Sequence, residues 1–404
     1  MNRYKTQRPQ NRSAILECIF RNAPVSRTEI AEMTGITPAT VTANVTELIS
    51  SNIVLETGEL TNEPGSSGRK RVLIDLNPVC ALTAGVEFTE NAVVFCLSDL
   101  MGNLLDSLIV PFSQDIAANI TQEIITHLHD FLAPFMERDH QQIAGIGVAV
   151  PGHMSEDGTQ LISNNKLWQS FQPALIRQAF PFPVAVENNV HCMTLGHYLF
   201  HASANTANFI YYHVGRGMFC SYMINGRIYY GSNYTLGEIG HTIIEPDGQL
   251  CECGKHGCLQ TYSSESWLLK NARLLYGASQ GTYLRSLAGS DRELTIDHVL
   301  TAYSMGDPVV RSYITNAVKY LGISISNLSI IFGMDKIYLH GALFQDEHVR
   351  MELKDYISRQ LSFLDGSYSE HIETLGWDPR DGATGACALA IFEFFIREHP
   401  FSSI

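Results

Sequence analysis

Apolar residues recur at Ile15, Leu16, Ile19 and Phe20, a spacing that predicts a helix over residues 12–22. Val41, Val45 and Leu48 repeat that spacing further on. Between the two runs, "PVSRTEIAEMTG" places Ser26 to cap a short helix through Met33. Glu29, three residues on, completes a capping box. Gly35 makes the turn, Thr37 caps the next helix, and Pro38 fills its first position, where a missing N–H costs nothing. The pattern then shifts to two strand-like runs, "NIVLET" and "RKRVLIDL", joined by the tip "GELTNEPGSSG". Helix, glycine turn, helix and a two-stranded wing predict a winged helix-turn-helix domain over residues 1–76.

From about residue 78 the periodicity is that of a larger α/β body, predicted to occupy residues 77–404. "ALTAGVEF", "NAVVFCLSD" and "GNLLDSLIVPF" read as three successive strands with short turns. Residues 118–135 carry Ile120, Ile124, Leu128, Phe131 and Phe135 along one helical face. "IAGIGVAVPG" and "FPVAVENN" are buried strands, and a helix follows through about Phe200. Residues 208–230 give three more strands, and residues 309–332 a long helix with Val310, Ile314, Ala317, Leu321, Ile325 and Leu328 in one stripe. The repeated βββαβαβα order predicts two lobes around a cleft, split near residue 200, with a C-terminal helix returning to the first lobe.

Charge separates head from body. The chain carries 27 Lys/Arg and 41 Asp/Glu; residues 1–75 hold nine against eight, leaving 18 against 33 for the remainder. A net charge of −14 argues against coating nucleic acid with the whole surface, but the first 16 residues contain four bases and no acid. The outward face of the second helix is expected to be Ala39, Thr40, Ala43 and the flanking Asn44, which read bases by hydrogen bonds and methyl contacts. Arg69, Lys70 and Arg71 leave the wing tip and suit a narrow A·T minor groove. Arg27 and Thr37 complete the expected DNA-binding set, with Arg27 and the basic arm on phosphates. Two such heads are expected on one double-stranded operator, A·T-rich and palindromic, in a homodimer or homotetramer. The basic, polar start has no apolar signal-peptide core, and no run approaches 18 apolar residues, so a cytoplasmic protein without a membrane partner is expected.

Three of the nine cysteines fall within "CECGKHGC", and His241 stands ten residues ahead of the first. Cys251 and Cys253 are too close for an unstrained disulfide, and a redox pair would have two intervening residues. Three thiolates and one imidazole suit tetrahedral zinc, with Gly254 and Gly257 letting the loop fold back. His241, Cys251, Cys253 and Cys258 fill four positions, so the expected zinc is structural. The second nitrogen of His241 is then expected to donate to a ligand, and the Glu238 carboxylate to accept from a ligand hydroxyl.

"GEIGH" followed by "GQLCECGKHGCLQTY" resembles the signature of the ROK family, named for repressors, open reading frames and kinases. The winged head with this body is similar to the family's sugar-responsive repressors over nearly the whole chain. The resemblance implies an α/β fold class: a two-lobed, actin-like (ribonuclease H-like) ROK body behind the winged helix-turn-helix. It also implies sugar contacts at Asn188, Asn189, Glu238 and His241, with Gln260 where the family usually has Glu. ROK kinases need an open D-x-G-G-T turn and a catalytic Asp in an E-N-D run. Here Glu87 and Phe88 replace the turn, and Asn189 stands in the place of the base; an amide cannot take a proton at neutral pH. "VGRGMFCSY" keeps Gly215 and Gly217, and "YLHGAL" lacks the glycine pair expected beside adenosine. A non-enzymatic regulator is therefore expected, a repressor of carbohydrate-utilisation genes that responds to a sugar or sugar phosphate; with Asn189 and Gln260 the cleft is less acidic than the family's, which points to a phosphorylated or N-acetylated sugar rather than a neutral hexose. The alternative is a residual ATP-dependent sugar kinase with a DNA-binding head. Trp168, in "NNKLW", is a candidate for stacking on a sugar or for simple packing.

Overall fold

The computed structural model describes residues 3–61, 71–136, 142–163, 165–201, 206–231, 233–362 and 368–397. The chain divides into two compact units, Met1–Asn205 with Pro379–Ile404, and Thr206–Asp378.

The first unit begins with α1 (Arg3–Asn22), β1 (Val25–Ser26), α2 (Arg27–Thr34), α3 (Pro38–Ser50), β2 (Val54–Thr61) and β3 (Arg71–Leu76). The strands form an antiparallel sheet in the order β1-β3-β2. Ser26 Oγ accepts from the Glu29 N–H at 3.3 Å, and the Glu29 carboxylate accepts from the Ser26 N–H at 2.8 Å, so α2 starts on a complete capping box. Gly35 closes α2 in the left-handed region, at φ 67°. Ile15, Leu16, Ile19, Ile30, Val41, Val45 and Leu48 are fully buried and make the head's core. Helix α1 starts nine residues before the predicted position, at Arg3.

The same unit continues through β4 (Ala81–Phe88), β5 (Ala92–Asp99), β6 (Leu104–Pro111), α4 (Gln114–Ala118), α5 (Ile120–Met136), β7 (Gln142–Val150), β8 (His153–Met154), β9 (Leu161–Ile162), α6 (Pro173–Ala179), β10 (Val184–Asn188) and α7 (Asn189–Phe200). The five long strands lie in the order β10-β7-β4-β5-β6. Strands β4, β5 and β6 are antiparallel neighbours, and β7 and β10 join parallel to β4. Ile120, Ile124, Leu128 and Leu132 of α5 pack into one core with Leu82, Ala84 and Val86 of β4.

The second unit contains β11 (Phe209–Val214), β12 (Met218–Ile224), β13 (Arg227–Ile228), α8 (Gln260–Ser263), α9 (Glu265–Ala278), α10 (Leu284–Leu287), α11 (Ile296–Ser304), α12 (Pro308–Phe332), β14 (Lys336–His340), α13 (Glu347–Leu361) and β15 (Ile372–Thr374). Its sheet runs β13-β12-β11-β14-β15. Counted by appearance within each unit, both sheets follow the path 3-2-1-4-5, again with the last two strands parallel to the first. This is the ribonuclease H-like topology, built twice. Helix α12 is the axis of the second core: Val310, Ile314, Ala317, Leu321 and Ile325 are fully buried, each contributing roughly 1.5–3 kcal/mol where a large side chain leaves water.

The chain then returns to the first unit as α14 (Asp381–Ala390), followed by a π-helical turn, Ile391–Arg397. Gly85 of β4 and Gly147 of β7 are register partners. A Cβ at either position would overlap a backbone carbonyl oxygen of α14, at Ala383 and Ala386 respectively. The two glycines form a shallow trough that lets α14, rich in Gly and Ala, lie directly on the sheet.

Candidate functional site

The winged head presents Thr37, Ala39, Thr42, Ala43, Thr46 and Glu47 of α3 and its cap to solvent, with Thr40 half-buried. Asn44 is not on that face. It follows Val41 by three residues and precedes Leu48 by four, which puts it on the inner stripe; it is buried, and its Nδ2 donates to the Thr40 carbonyl at 2.8 Å. Thr37 stands at the cap position but does not cap, because its hydroxyl pairs with Thr40 Oγ1 at 2.9 Å. Arg27 Nη2 lies 2.8 Å from Glu56 Oε1, and Arg71 Nη1 lies 3.7 Å from Glu29 Oε1. Such exposed pairs are worth at most about 1 kcal/mol, so either arginine can exchange its partner for a phosphate. Arg69 and Lys70 lie outside the described residues. Thr42 and Thr46 extend the exposed face beyond the sequence reading.

In the second unit, the loop after β13 brings His241, Cys251, Cys253 and Cys258 together, their ligand atoms all within 4.8 Å of one another. His241 Nδ1 is 3.6 Å from Cys251 Sγ, and Cys253 Sγ is 3.6 Å from Cys258 Sγ. Tetrahedral zinc, with Zn–S near about 2.3 Å and Zn–N near about 2.1 Å, has sulfur–sulfur edges of about 3.8 Å and nitrogen–sulfur edges of about 3.6 Å, so both edges fit. All three thiols are free. Burial pushes the Cys258 thiol up to about 12, and the adjoining sulfurs add to it; a bound cation supplies the charge that lets such a cluster ionise. The loop closes through Gly257, at φ 70°, where a Cβ would overlap the Glu245 carbonyl oxygen. Gln260 is tied to the cluster as well: its Nε2 donates to Glu252 Oε1 at 2.9 Å and approaches Cys251 Sγ at 3.5 Å.

Glu238 precedes the turn that carries His241. It lines a hollow of about 400 Å³ with Tyr222, Tyr229, Asn233 and Thr235. The run "YYGSNYTLGE", polar and aromatic and ending on Glu238, is the sequence signal for Tyr229, Asn233 and Thr235, which pattern reading passed over.

In the first unit, Asn188 and Asn189 sit where β10 becomes α7. Asn188 Oδ1 accepts from the Val190 and His191 N–H groups at 2.9 and 3.2 Å, and its Nδ2 donates to the Gly152 carbonyl at 3.0 Å. It therefore caps the helix and ties down the loop after β7. Asn189 Nδ2 donates to Glu87 Oε1 at 3.1 Å. Glu87, at the end of β4, is almost fully buried, and a Cβ at Gly382 would overlap its carboxyl group. Burial pushes this carboxyl up to about 7; the Asn189 hydrogen bond opposes the shift and Asp381 adds to it. His191 Nδ1 lies 3.1 Å from Glu187 Oε1. The sequence reading saw Glu87 only as the loss of a phosphate turn; the structure makes it the partner of Asn189. Trp168 is packed rather than offered to a ligand: it is buried, edge-on to Phe88 at 5.1 Å and to Phe112 at 5.6 Å. Among the expected sugar-contact residues, the second unit gathers His241 and Gln260 around the cysteines, while Asn188 and Asn189 share the first unit with Glu87.

Residues 83–393 match the ROK family, and residues 8–54 match a winged helix-turn-helix DNA-binding family. The chain belongs to the ROK family. The xylose repressor of Bacillus subtilis strain 168 is 26% identical over 370 residues, which cover 91% of each chain. A solved ROK family transcriptional regulator, a homolog of the Escherichia coli MLC protein, matches with a TM-score of 0.76 at 20% identity, over 96% of this chain and 98% of that one. A ROK family glucokinase from Streptomyces griseus, solved with glucose and AMPPNP, matches with a TM-score of 0.64 at 22% identity, over 76% of this chain and 98% of that one. The two structures share the ROK body's actin-like fold with this chain. Among the described residues, no helix is long and apolar enough to cross a membrane.

Proposed function

We propose that this chain is a cytoplasmic DNA-binding transcriptional regulator, a repressor of carbohydrate-utilisation genes, whose ROK body senses a sugar or sugar phosphate. The observation that carries the reading is the union, in one chain, of a ROK body with a winged head whose helix α3 exposes a row of small residues, Ala39, Thr42, Ala43 and Thr46. Such a face fits the major groove closely and contacts thymine methyl groups. The name of the Bacillus relative, a xylose repressor aligned over head and body alike, supports it. Two heads bind an A·T-rich palindrome as a homodimer or homotetramer, with Arg69, Lys70 and Arg71 in the minor groove and Arg27 on phosphate. Effector contacts are assigned to Asn189, Glu238 and His241, with Asn188 and Gln260 holding their surroundings in place. Zinc on His241, Cys251, Cys253 and Cys258 fastens the loop that bears Glu238; bound there, it supplies cross-linking charge and no reactive water. The effector binds the DNA-competent and DNA-released states with different affinity, and operator occupancy follows.

The fold shared with a glucokinase favours one second reading, a residual kinase. The chemistry at Asn189 opposes it. Its amide cannot accept a proton, and it is engaged by Glu87. Capture of fragmented genomic DNA by the purified protein near physiological salt tests the proposal. A few strongly enriched sites support it, and uniform enrichment with sugar-dependent ATP consumption overturns it in favour of the kinase.

A further inference from the structure

The proposed sensor needs a route from its sugar site to its DNA-binding head, and the first unit contains one. Helices α7 and α14 both start at the same polar end. Asn189 opens α7 and bonds Glu87; Asp381 and Gly382 open α14, and Gly382 lies against the same Glu87 carboxyl. The two helices are packed backbone to backbone. A Cβ at Gly385 would come within 2.5 Å of the Cys192 carbonyl carbon, and one at Gly196 within 3.4 Å of the Gly385 Cα. Helices this close, with no intervening side chain to repack, move as one body.

The far end of α7 and the π-helical turn that continues α14 both meet α1, the first helix of the winged head. At the end of α7, Tyr198 Oη donates to Glu17 Oε1 at 2.8 Å and accepts from Arg21 Nη1 at 3.2 Å, and the Arg21 guanidinium lies 4.2 Å from the centre of the Tyr198 ring. Beyond α14, Phe395 meets Phe20 edge-on at 5.9 Å. Tyr198 and Phe395 are buried, so these are packed contacts.

We infer that the α7–α14 pair is the element that couples the Asn188–Asn189 site to the winged head, and that the Glu17–Tyr198–Arg21 clamp is its output joint. This rests on the regulator reading above. Over its 12 residues α7 spans about 18 Å, too far for a ligand at Asn189 to touch α1 directly. A change at the Asn189 end that tilts or shifts the pair moves Tyr198 and Phe395 together, and α1 with them. The coupling is reciprocal: DNA that fixes the head must alter the Asn188–Asn189 end.

Reciprocity gives a test that needs no knowledge of the sugar. Hydrogen exchange is measured on the full chain with and without the operator recovered by genomic capture. The amides of Val190 and His191, bonded to Asn188 Oδ1, report on the far end. In the wild type, operator DNA changes exchange across residues 189–192. In Tyr198→Phe, which keeps the ring and removes the hydroxyl, that change shrinks at least about fivefold, the scale of one lost hydrogen bond. Glu17→Gln, which keeps an acceptor, retains most of it. A melting temperature within a few degrees of wild type shows that each variant is folded. Wild-type exchange at 189–192 that ignores bound operator overturns the inference, as does a Tyr198→Phe protein with the full change. If no operator is captured at all, the regulator reading fails, an outcome distinct from either of these.

Discussion

The Glu87 carboxyl gives the sharpest quantitative expectation. In the folded protein burial raises it from an ordinary 4.5 to about 7, with Asp381 adding to the shift and the Asn189 amide opposing it. Between those two values the folded state holds a proton that the unfolded chain has released. Stability from this group is therefore complete below about pH 4.5, declines as pH rises, and is gone above about pH 7. At about 1.4 kcal/mol per factor of ten, the whole span is worth about 3 kcal/mol. Glu87→Gln keeps the shape and an oxygen to accept from Asn189, but cannot ionise. Urea unfolding of both proteins from pH 5 to pH 8.5 measures the difference. The variant is expected to gain on the wild type steadily from pH 5 to about pH 7, by about 2.5 kcal/mol in total over the scan, and to level off above pH 7.5. Parallel pH profiles for the two proteins would refute the reasoning, because they would mean that Glu87 is solvated or already ionised.

Three other expectations follow from separate parts of the molecule. Cys253→Ser should abolish the zinc content of the purified chain, about one ion per chain by elemental analysis of the wild type, and lower its melting temperature; unchanged zinc would remove the metal assignment. Gly147→Val places a side chain against the Ala386 carbonyl in the trough under α14, and should cost about 3 kcal/mol or more by chemical denaturation. Ala43→Glu adds an acid to the exposed face of α3, and should weaken operator binding at least about tenfold by repelling phosphate while leaving the melting temperature unchanged; equal affinity would mean that α3 does not face DNA.

The parts legible in the sequence were those written in local patterns. Val41, Val45 and Leu48 fix the inner face of α3 by spacing alone, and Ser26 with Glu29 fixes the start of α2. The alternation of strands and helices gave both lobes, since each sheet and helix buries its own stripe. The cysteine cluster was legible because His241 and the three cysteines lie within one loop. Errors came where one position had two claims. Asn44 looks like a base reader by type, but its place between Val41 and Leu48 turns it inward. Thr37 has the residue type of a cap, yet a second threonine one turn on competes for its hydroxyl. Trp168, open in the sequence between stacking on a sugar and simple packing, is no error: it is packed against Phe88 and Phe112. What pattern reading could not reach was assembly across long stretches of chain. The trough of Gly85 and Gly147 has meaning only with α14 on it, and the Tyr198 clamp joins helices whose sequences say nothing of each other.

The central claim, a sugar-responsive DNA-binding regulator, is tested most directly by one titration. Operator DNA recovered from the genomic capture is titrated with the full chain near physiological salt, alone and with D-xylose, D-glucose, N-acetyl-D-glucosamine and their phosphates. The account predicts tight, sequence-specific binding whose Kd is changed at least about tenfold by one of these sugars, a coupling of about 1.4 kcal/mol. An affinity that no sugar moves, or one shared equally by unrelated DNA of the same length, would contradict it.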